Sequence, residues 1–142
     1  MFQVKHLLSD KGGSIFSIAP EEPVAAAIRV MAEHYVGALL VMREAQLCGI
    51  ISERDYARNV FLKGRSSKDT AVSEIMTSEL ITVTPEDTIE HCMRLCTEKR
   101  VRHLPVIEHG QVVGILSLGD LVKAVISAQT EQIEQLHRYI AG

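Results

Sequence analysis

The feature that most limits what this chain can fold into is a duplication. Gly-Ile-Ile-Ser-Glu-Arg-Asp, Gly49 to Asp55, returns as Gly-Ile-Leu-Ser-Leu-Gly-Asp, Gly114 to Asp120. At an offset of 65, residues 15–58 lie over 80–123 without a gap, with 12 of 44 positions identical. The identical pairs include Pro20/Pro85, Val36/Val101, Leu39/Leu104, Val41/Val106, Ser52/Ser117 and Asp55/Asp120. Such a period is too long for a solenoid unit, and two copies are too few for an array. The chain therefore reads as two copies of one small module. At 142 residues it can form one shared core, whereas half of it would bury too little surface to be secure, so the halves should pack together.

Each copy carries the same order of signals. Val4–Leu8 is a short apolar segment leading into an Asp10-Lys11-Gly12-Gly13 turn, and Val72–Met76 is its counterpart. Ile15–Ala19 predicts a brief strand, and the Pro20-Glu21-Glu22-Pro23 stretch suits a helix start. Val24, Ala27, Ile28, Met31 and Ala32 then recur at helical spacing, with Arg29 and Glu33 opposite, predicting a helix over 24–35 with one buried stripe. Ala38–Met42 and Leu47–Ser52 read as a hairpin. Beyond Ser52 a helical pattern runs through Tyr56, Ala57, Val60 and Phe61 to Lys63-Gly64, where glycine suits a left-handed cap. The second copy predicts a strand over 80–84, a helix over 88–99, strands over 103–107 and 112–117, and a helix from Leu118 to about Ala128. A separate amphipathic tail helix over 130–140 carries Ile133, Leu136 and Ile140, for either its own body or a partner copy to cover.

The fold class is α+β, a tandem pair of β-α-β-β-α modules related by a pseudo-two-fold. The expected boundaries are 1–64, a linker over 65–71, 72–128, and the tail helix over 129–142. The helical faces Val24-Ile28-Met31 and Ile89-Met93-Cys96 are expected to need cover from another chain.

Charge and composition exclude several classes. Net charge is −3 and neither half holds a Lys/Arg block, which argues against a nucleic-acid surface or an anionic membrane. The longest apolar runs fall far short of the roughly 18 residues that span a bilayer. The N-terminus does not read as a signal peptide, and three cysteines, an odd number, favour a reducing compartment, so a cytoplasmic protein is expected. His91, Cys92, Cys96 and His103 hint at metal, but Cys92 and Cys96 align with the core positions Ala27 and Met31, so no metal is expected. Neither G-x-G-x-x-G nor G-x-x-x-x-G-K-S/T occurs, and no nucleophile is flanked by an activating pattern, so catalysis is not expected.

The paired modules, the doubled Gly-hydrophobic-x-Ser-x-x-Asp signature, and the phrases Ser-Glu-Arg-Asp-Tyr-Ala-Arg and Arg-His-Leu-Pro-Val resemble a stand-alone cystathionine-β-synthase (CBS) domain pair over nearly the whole chain. The resemblance implies a regulatory module, a disk-like homodimer, and adenosine-containing ligands in the cleft between the copies. It places adenine against the segments Ser17–Ala19, Thr82–Thr84, Ala38–Leu40 and His103–Pro105, and so against Ser17, Ala19, Ala38, Leu39, Thr82, Thr84, His103, Leu104 and Pro105.

Two readings of Ser52–Asp55 and Ser117–Asp120 stand side by side. Ser followed three residues later by an acid is a capping box. The same corner, a strand running into a helix N-terminus, leaves backbone donors for phosphate and a carboxylate for a ribose diol. Arg54 is the first candidate for phosphate, with Arg58 one turn on; Arg102 and Lys68 are candidates from the opposite side. Gly119 stands where the first copy has Arg54, so the two sites should differ. Three functional classes follow: a sensor of AMP, ADP, ATP or NAD(H) that signals to a partner, a structural or interaction module with no ligand, and an enzyme acting on an adenine nucleotide.

Overall fold

The computed structural model describes residues 2–11 and 15–141, so the Gly12-Gly13 part of the expected turn lies outside the described residues. Asp10 and Lys11 are not turn residues. They close helix α1 (Val4–Lys11), whose apolar side buries Val4 and Leu7.

Strand β1 (Ser17–Ile18) leads to helix α2 (Val24–His34), which buries Val24, Ala27 and Met31. Ala32, expected in that stripe, is exposed. Pro23 precedes the helix, and its first free donors are satisfied by the linker: the Val24 and Ala25 N–H groups donate to the carbonyls of Thr70 and Ser67 at 2.8 and 2.9 Å. Strands β2 (Ala38–Arg43) and β3 (Gln46–Ser52) form the expected hairpin, and β1 joins β2 in parallel. After Ser52 come a short helix α3 (Glu53–Tyr56), a π-helical turn over Ala57–Phe61, and Gly64 at φ +66°, the left-handed stop expected from the sequence. Helix α4 (Val72–Ile75) follows the linker.

In the second copy helix α5 (Ile89–Lys99) and the hairpin of β4 (His103–Glu108) and β5 (Gln111–Ser117) repeat the first, including a register shift at Val106/Ile107 that matches Val41/Met42. The strand expected over 80–84 shrinks to one bridge, Val83 to Val106. Proline explains the loss. In the first copy the Leu40 N–H donates to the Phe16 carbonyl at 3.3 Å, and position 105, its equivalent, is a proline with no N–H to give.

Helix α6 (Leu118–Ala141) is a single element of 24 residues, so the expected break near 129 does not exist. The first copy stops its helix with Gly64, but the equivalent position is Gln129, which carries no stop signal. Beyond residue 128 α6 is exposed throughout, with Ile133 57%, Leu136 58% and Ile140 74% exposed. It does not lie back on its own body.

Strand alternation sorts the interior into three parts. Leu39, Val41 and Ile51 face one module core together with Val24, Met31 and Val60; Leu104, Val106 and Leu116 face the other with Ile89, Cys92 and Leu121. The opposite faces meet in a seam of Ala38, Leu40 and Ile50 against Leu80, Val112 and Ile115. In the stripes expected to await another chain, Val24, Met31, Ile89 and Cys96 are buried in their own modules, while Ile28 and Met93 are only partly covered.

The small helices are exchanged. Val4 and Leu7 of α1 pack into the second module, while Val72 and Ile75 of α4 pack into the first. The backbone repeats the exchange: Val4 and Lys5 donate to the carbonyls of Asp87 and Pro85, as Val72 and Ser73 donate to those of Glu22 and Pro20.

Candidate functional site

Each Ser-x-x-Asp corner lies at a strand end turning into a helix, and each opens on a cavity between the modules. The first, about 380 Å³, lies over Ser52 and Asp55 and is closed on the other side by residues 77–81 and 100–103. The second, about 290 Å³, lies over Ser117 and Asp120 and is closed by Lys11, Phe16 and residues 35–38. The duplication relates the two, because Ile81, Arg100, Val101 and Arg102 stand where the second cavity has Phe16, Tyr35, Val36 and Gly37.

The capping box is formed in the first copy. The Ser52 N–H and Oγ donate to Asp55 Oδ2 at 2.9 and 3.0 Å, and the Asp55 N–H donates back to Ser52 Oγ at 3.2 Å. The Glu53 N–H donates to the Gly37 carbonyl at 3.0 Å. The second copy matches: the Ser117 N–H reaches Asp120 Oδ2 at 2.8 Å, the Asp120 N–H reaches Ser117 Oγ at 3.1 Å, and the Leu118 N–H reaches the Arg102 carbonyl at 2.8 Å. This corrects one expectation, since most of the backbone donors foreseen for phosphate are spent inside the corner. Phosphate chemistry must come from side chains. One oxygen of each carboxylate, Oδ1, carries no hydrogen bond among the described residues and can accept from a hydroxyl.

Arginines supply the charge at the first cavity. Arg54 and Arg58 on one wall and Arg102 on the other line it as expected, and Arg100 adds a fourth. None of the four is in an ion pair among the described residues. Glu53, Asp55 and Glu79 line the same space, so the site is polar and mixed in sign with a small cationic excess. Ile50, Leu80, Ile81 and Val101 make its apolar part.

The second cavity is built differently around its carboxylate. Lys11 Nζ sits 2.8 Å from Asp120 Oδ2 and 2.7 Å from the Ile115 carbonyl. Burial pushes the Asp120 carboxyl up, but the Lys11 ammonium and the Ser117 donors outweigh it and hold the group below its ordinary value. His103 lines both cavities. Burial lowers its pKa, Lys11 and Arg102 add to the effect, and Asp120 opposes it, so the uncharged ring is favoured.

Several expected residues are placed elsewhere. Leu39 and Leu104 are fully buried in the module cores, because alternation turns them away from the seam that Ala38 and His103 face. Pro105 is buried and lines neither cavity. Ser17, Ala19, Thr82 and Thr84 are exposed outside both; the Thr84 N–H instead donates to Asp87 Oδ2 at 2.7 Å. Lys68 lies in the linker that caps the start of α2, and Tyr35 and Gly37 line the second cavity at that helix's far end, roughly 16 Å away at 1.5 Å per residue. Cys92 and Cys96 are core residues, and burial pushes the Cys92 thiol up to about 11.

Arg100, Ile81 and Val101 were legible in principle, since each stands 65 residues beyond a residue lining the other cavity. Lys11 carried no such signal, because nothing in the sequence says that α1 docks on the second module.

The sequence matches the CBS domain twice, over residues 4–61 and 72–127. The chain belongs to the CBS-domain family. It is 41% identical over 148 residues to the mitochondrial CBS domain-containing protein CBSX3 of Arabidopsis thaliana, covering 98% of this chain and 72% of that one. A putative signal-transduction protein with CBS domains from Burkholderia ambifaria is 46% identical with a TM-score of 0.86, over 89% of this chain and 96% of that one. The CBS domain pair of protein MJ0100, solved with methylthioadenosine and S-adenosylmethionine, shares the fold at 20% identity and a TM-score of 0.79, over 90% of this chain and 98% of that one. The CBS pair described above is thus a regulatory module, and no helix among its described residues is long and apolar enough to cross a membrane.

Proposed function

We propose that this CBS-domain pair senses an adenosine nucleotide, AMP first among AMP, ADP, ATP and NAD(H), at the cavity over Ser52 and Asp55, and signals its occupancy to a partner protein without catalysis. The observation that carries the reading is the meeting of Arg54, Arg58, Arg100 and Arg102, none of them in an ion pair among the described residues, with a carboxylate corner and an apolar wall in one cavity. An arginine fork matches phosphate, a carboxylate oxygen accepts from a ribose hydroxyl, and Ile50, Leu80, Ile81 and Val101 offer a purine its apolar faces. The adenosine ligands of the MJ0100 pair are in keeping with this class of ligand. Unpaired Cys48, Cys92 and Cys96 fit a reducing, cytoplasmic setting. Native mass spectrometry of the purified protein, followed by calorimetric titration with AMP, tests the reading; retention of no nucleotide and no heat with AMP, ATP or NAD would overturn it.

The exposed face of α6 favours self-association as the mode of assembly. Ile126, Ile133 and Ile140 recur every seven residues, with Leu136 between the last two and Val122 one turn before the first, the spacing of a two-helix seam, and all five are exposed. Sedimentation should show a dimer that Ile133→Lys dissociates; a wild-type monomer at micromolar concentration would exclude it.

A further inference from the structure

Lys11 ends α1, and through the exchange of small helices it is carried to the second module rather than to its own. There its ammonium is held by two acceptors on the second cavity, the Asp120 carboxylate at 2.8 Å and the Ile115 carbonyl at 2.7 Å. Asp120 Oδ2 already accepts the Ser117 N–H at 2.8 Å, so this one oxygen carries both the cap and the cation. Asp55 has the cap alone, with no ion pair among the described residues. The second copy also has Gly119 where the first has Arg54. One corner thus has unpaired cations beside an unpaired acid, and the other has its acid ion-paired to a lysine from within.

We propose that Lys11 closes the second cavity to a ribose diol by occupying Asp120 Oδ2, so that each chain takes one nucleotide, at the first cavity. The inference rests on the nucleotide reading above. A diol that takes both oxygens of Asp120 must displace a charge-assisted bond of normal length from Oδ2, and freeing the ammonium also breaks its bond to the Ile115 carbonyl; at Asp55 the same diol competes with the neutral Ser52 hydroxyl. Lys11 itself lines this cavity beside Asp120. The helix that carries it is anchored independently, by buried Val4 and Leu7 and by the Val4 and Lys5 bonds to the 85–87 turn, so losing the ammonium leaves α1 in place.

Stoichiometry tests this, with AMP titrated into the full-length chain and read by calorimetry and native mass spectrometry. The wild type is expected to bind one AMP. Lys11→Met keeps most of the stem, removes the ammonium, and is expected to bind two, the second within about tenfold of the first. Asp55→Asn in the Lys11 background supplies an arm that does not depend on the folding of the Lys11 variant: its AMP binding is expected to fall at least about tenfold, with no second site taking over. A wild type that binds two, a folded Lys11→Met that binds one, or an Asp55→Asn protein that still binds one AMP at wild-type affinity overturns the proposal alone. A wild type that binds none overturns the nucleotide reading and the proposal together.

Discussion

The two cavities share a scaffold and differ in their charges. Both have the strand-to-helix corner, the serine and aspartate bonded to each other, and a loop carbonyl taking the first helical N–H. Around that corner the first copy gathers four arginines, while the second ties its carboxylate to Lys11. The difference teaches that duplication preserves what folding needs. The corner caps a helix in each module, whereas the residues that would touch a ligand are surface residues whose exchange costs little stability.

The largest expected effect concerns the glycine that opens each motif. A Cβ on Gly49 would stand 2.7 Å from the Thr77 carbonyl, on a backbone pinned to Ile50 by two hydrogen bonds; on Gly114 it would meet only the tip of the Leu8 side chain, at 2.6 Å. Gly49→Ala should therefore cost about 2–3 kcal/mol and Gly114→Ala about 1, because a side chain can turn aside and a paired backbone cannot. Urea denaturation of both variants checks this, and equal losses would mean that the exchanged segments adapt equally in the two copies.

Next is the pair of aspartates. With the first cavity as the site, Asp55→Asn should weaken AMP by roughly 10- to 150-fold with a small change in melting temperature. Asp120→Asn should leave AMP affinity nearly unchanged and lower stability by about 1 kcal/mol, since it weakens a cap and a half-exposed ion pair. Matched calorimetry and melting curves separate these outcomes, and a similar loss of affinity for both variants would erase the distinction between the cavities.

A smaller effect is expected at Arg54, which is exposed. Arg54→Ala should weaken AMP by about tenfold and adenosine hardly at all, because only the phosphate gains from the guanidinium. Equal losses for the two ligands would remove Arg54 from phosphate recognition.

The smallest is a pH dependence. Asp120 is held below its ordinary value of 3.8, so the folded state binds its proton less readily than the unfolded chain does. Its contribution to stability is therefore complete above that value and fades as pH falls through the lower folded value. Urea midpoints taken between about pH 5 and pH 2.5 should fall less steeply in Asp120→Asn than in the wild type. Identical slopes would show that Lys11 does not hold the carboxylate in solution.

Much was legible in the sequence because the signals were local or repeated. Periodicity placed α2 and α5, paired short apolar runs around a polar gap placed the hairpins, and Gly64 ended the first copy's last helix, each through the conformational preferences of adjacent residues. The offset that revealed the duplication also fixed the equivalence of Ser52–Asp55 and Ser117–Asp120, and hence two corners on two cavities. Some departures were local but needed the other copy for comparison, such as Pro105 suppressing a strand and Gln129 failing to stop α6.

What only the tertiary structure decided was which small helix belongs to which module. Val4–Leu8 and Val72–Met76 look alike, and each could pack on the module that follows it or on the one across the seam; backbone bonds to the 20–22 and 85–87 turns select the exchange. From that choice follow the filling of each module core by the small helix of the other copy, the crowding that makes Gly49 a glycine, and the arrival of Lys11 at Asp120 from 109 residues away. A contact across such a separation leaves no periodicity to read, because it arises from how finished elements fit together rather than from the preferences of neighbouring residues.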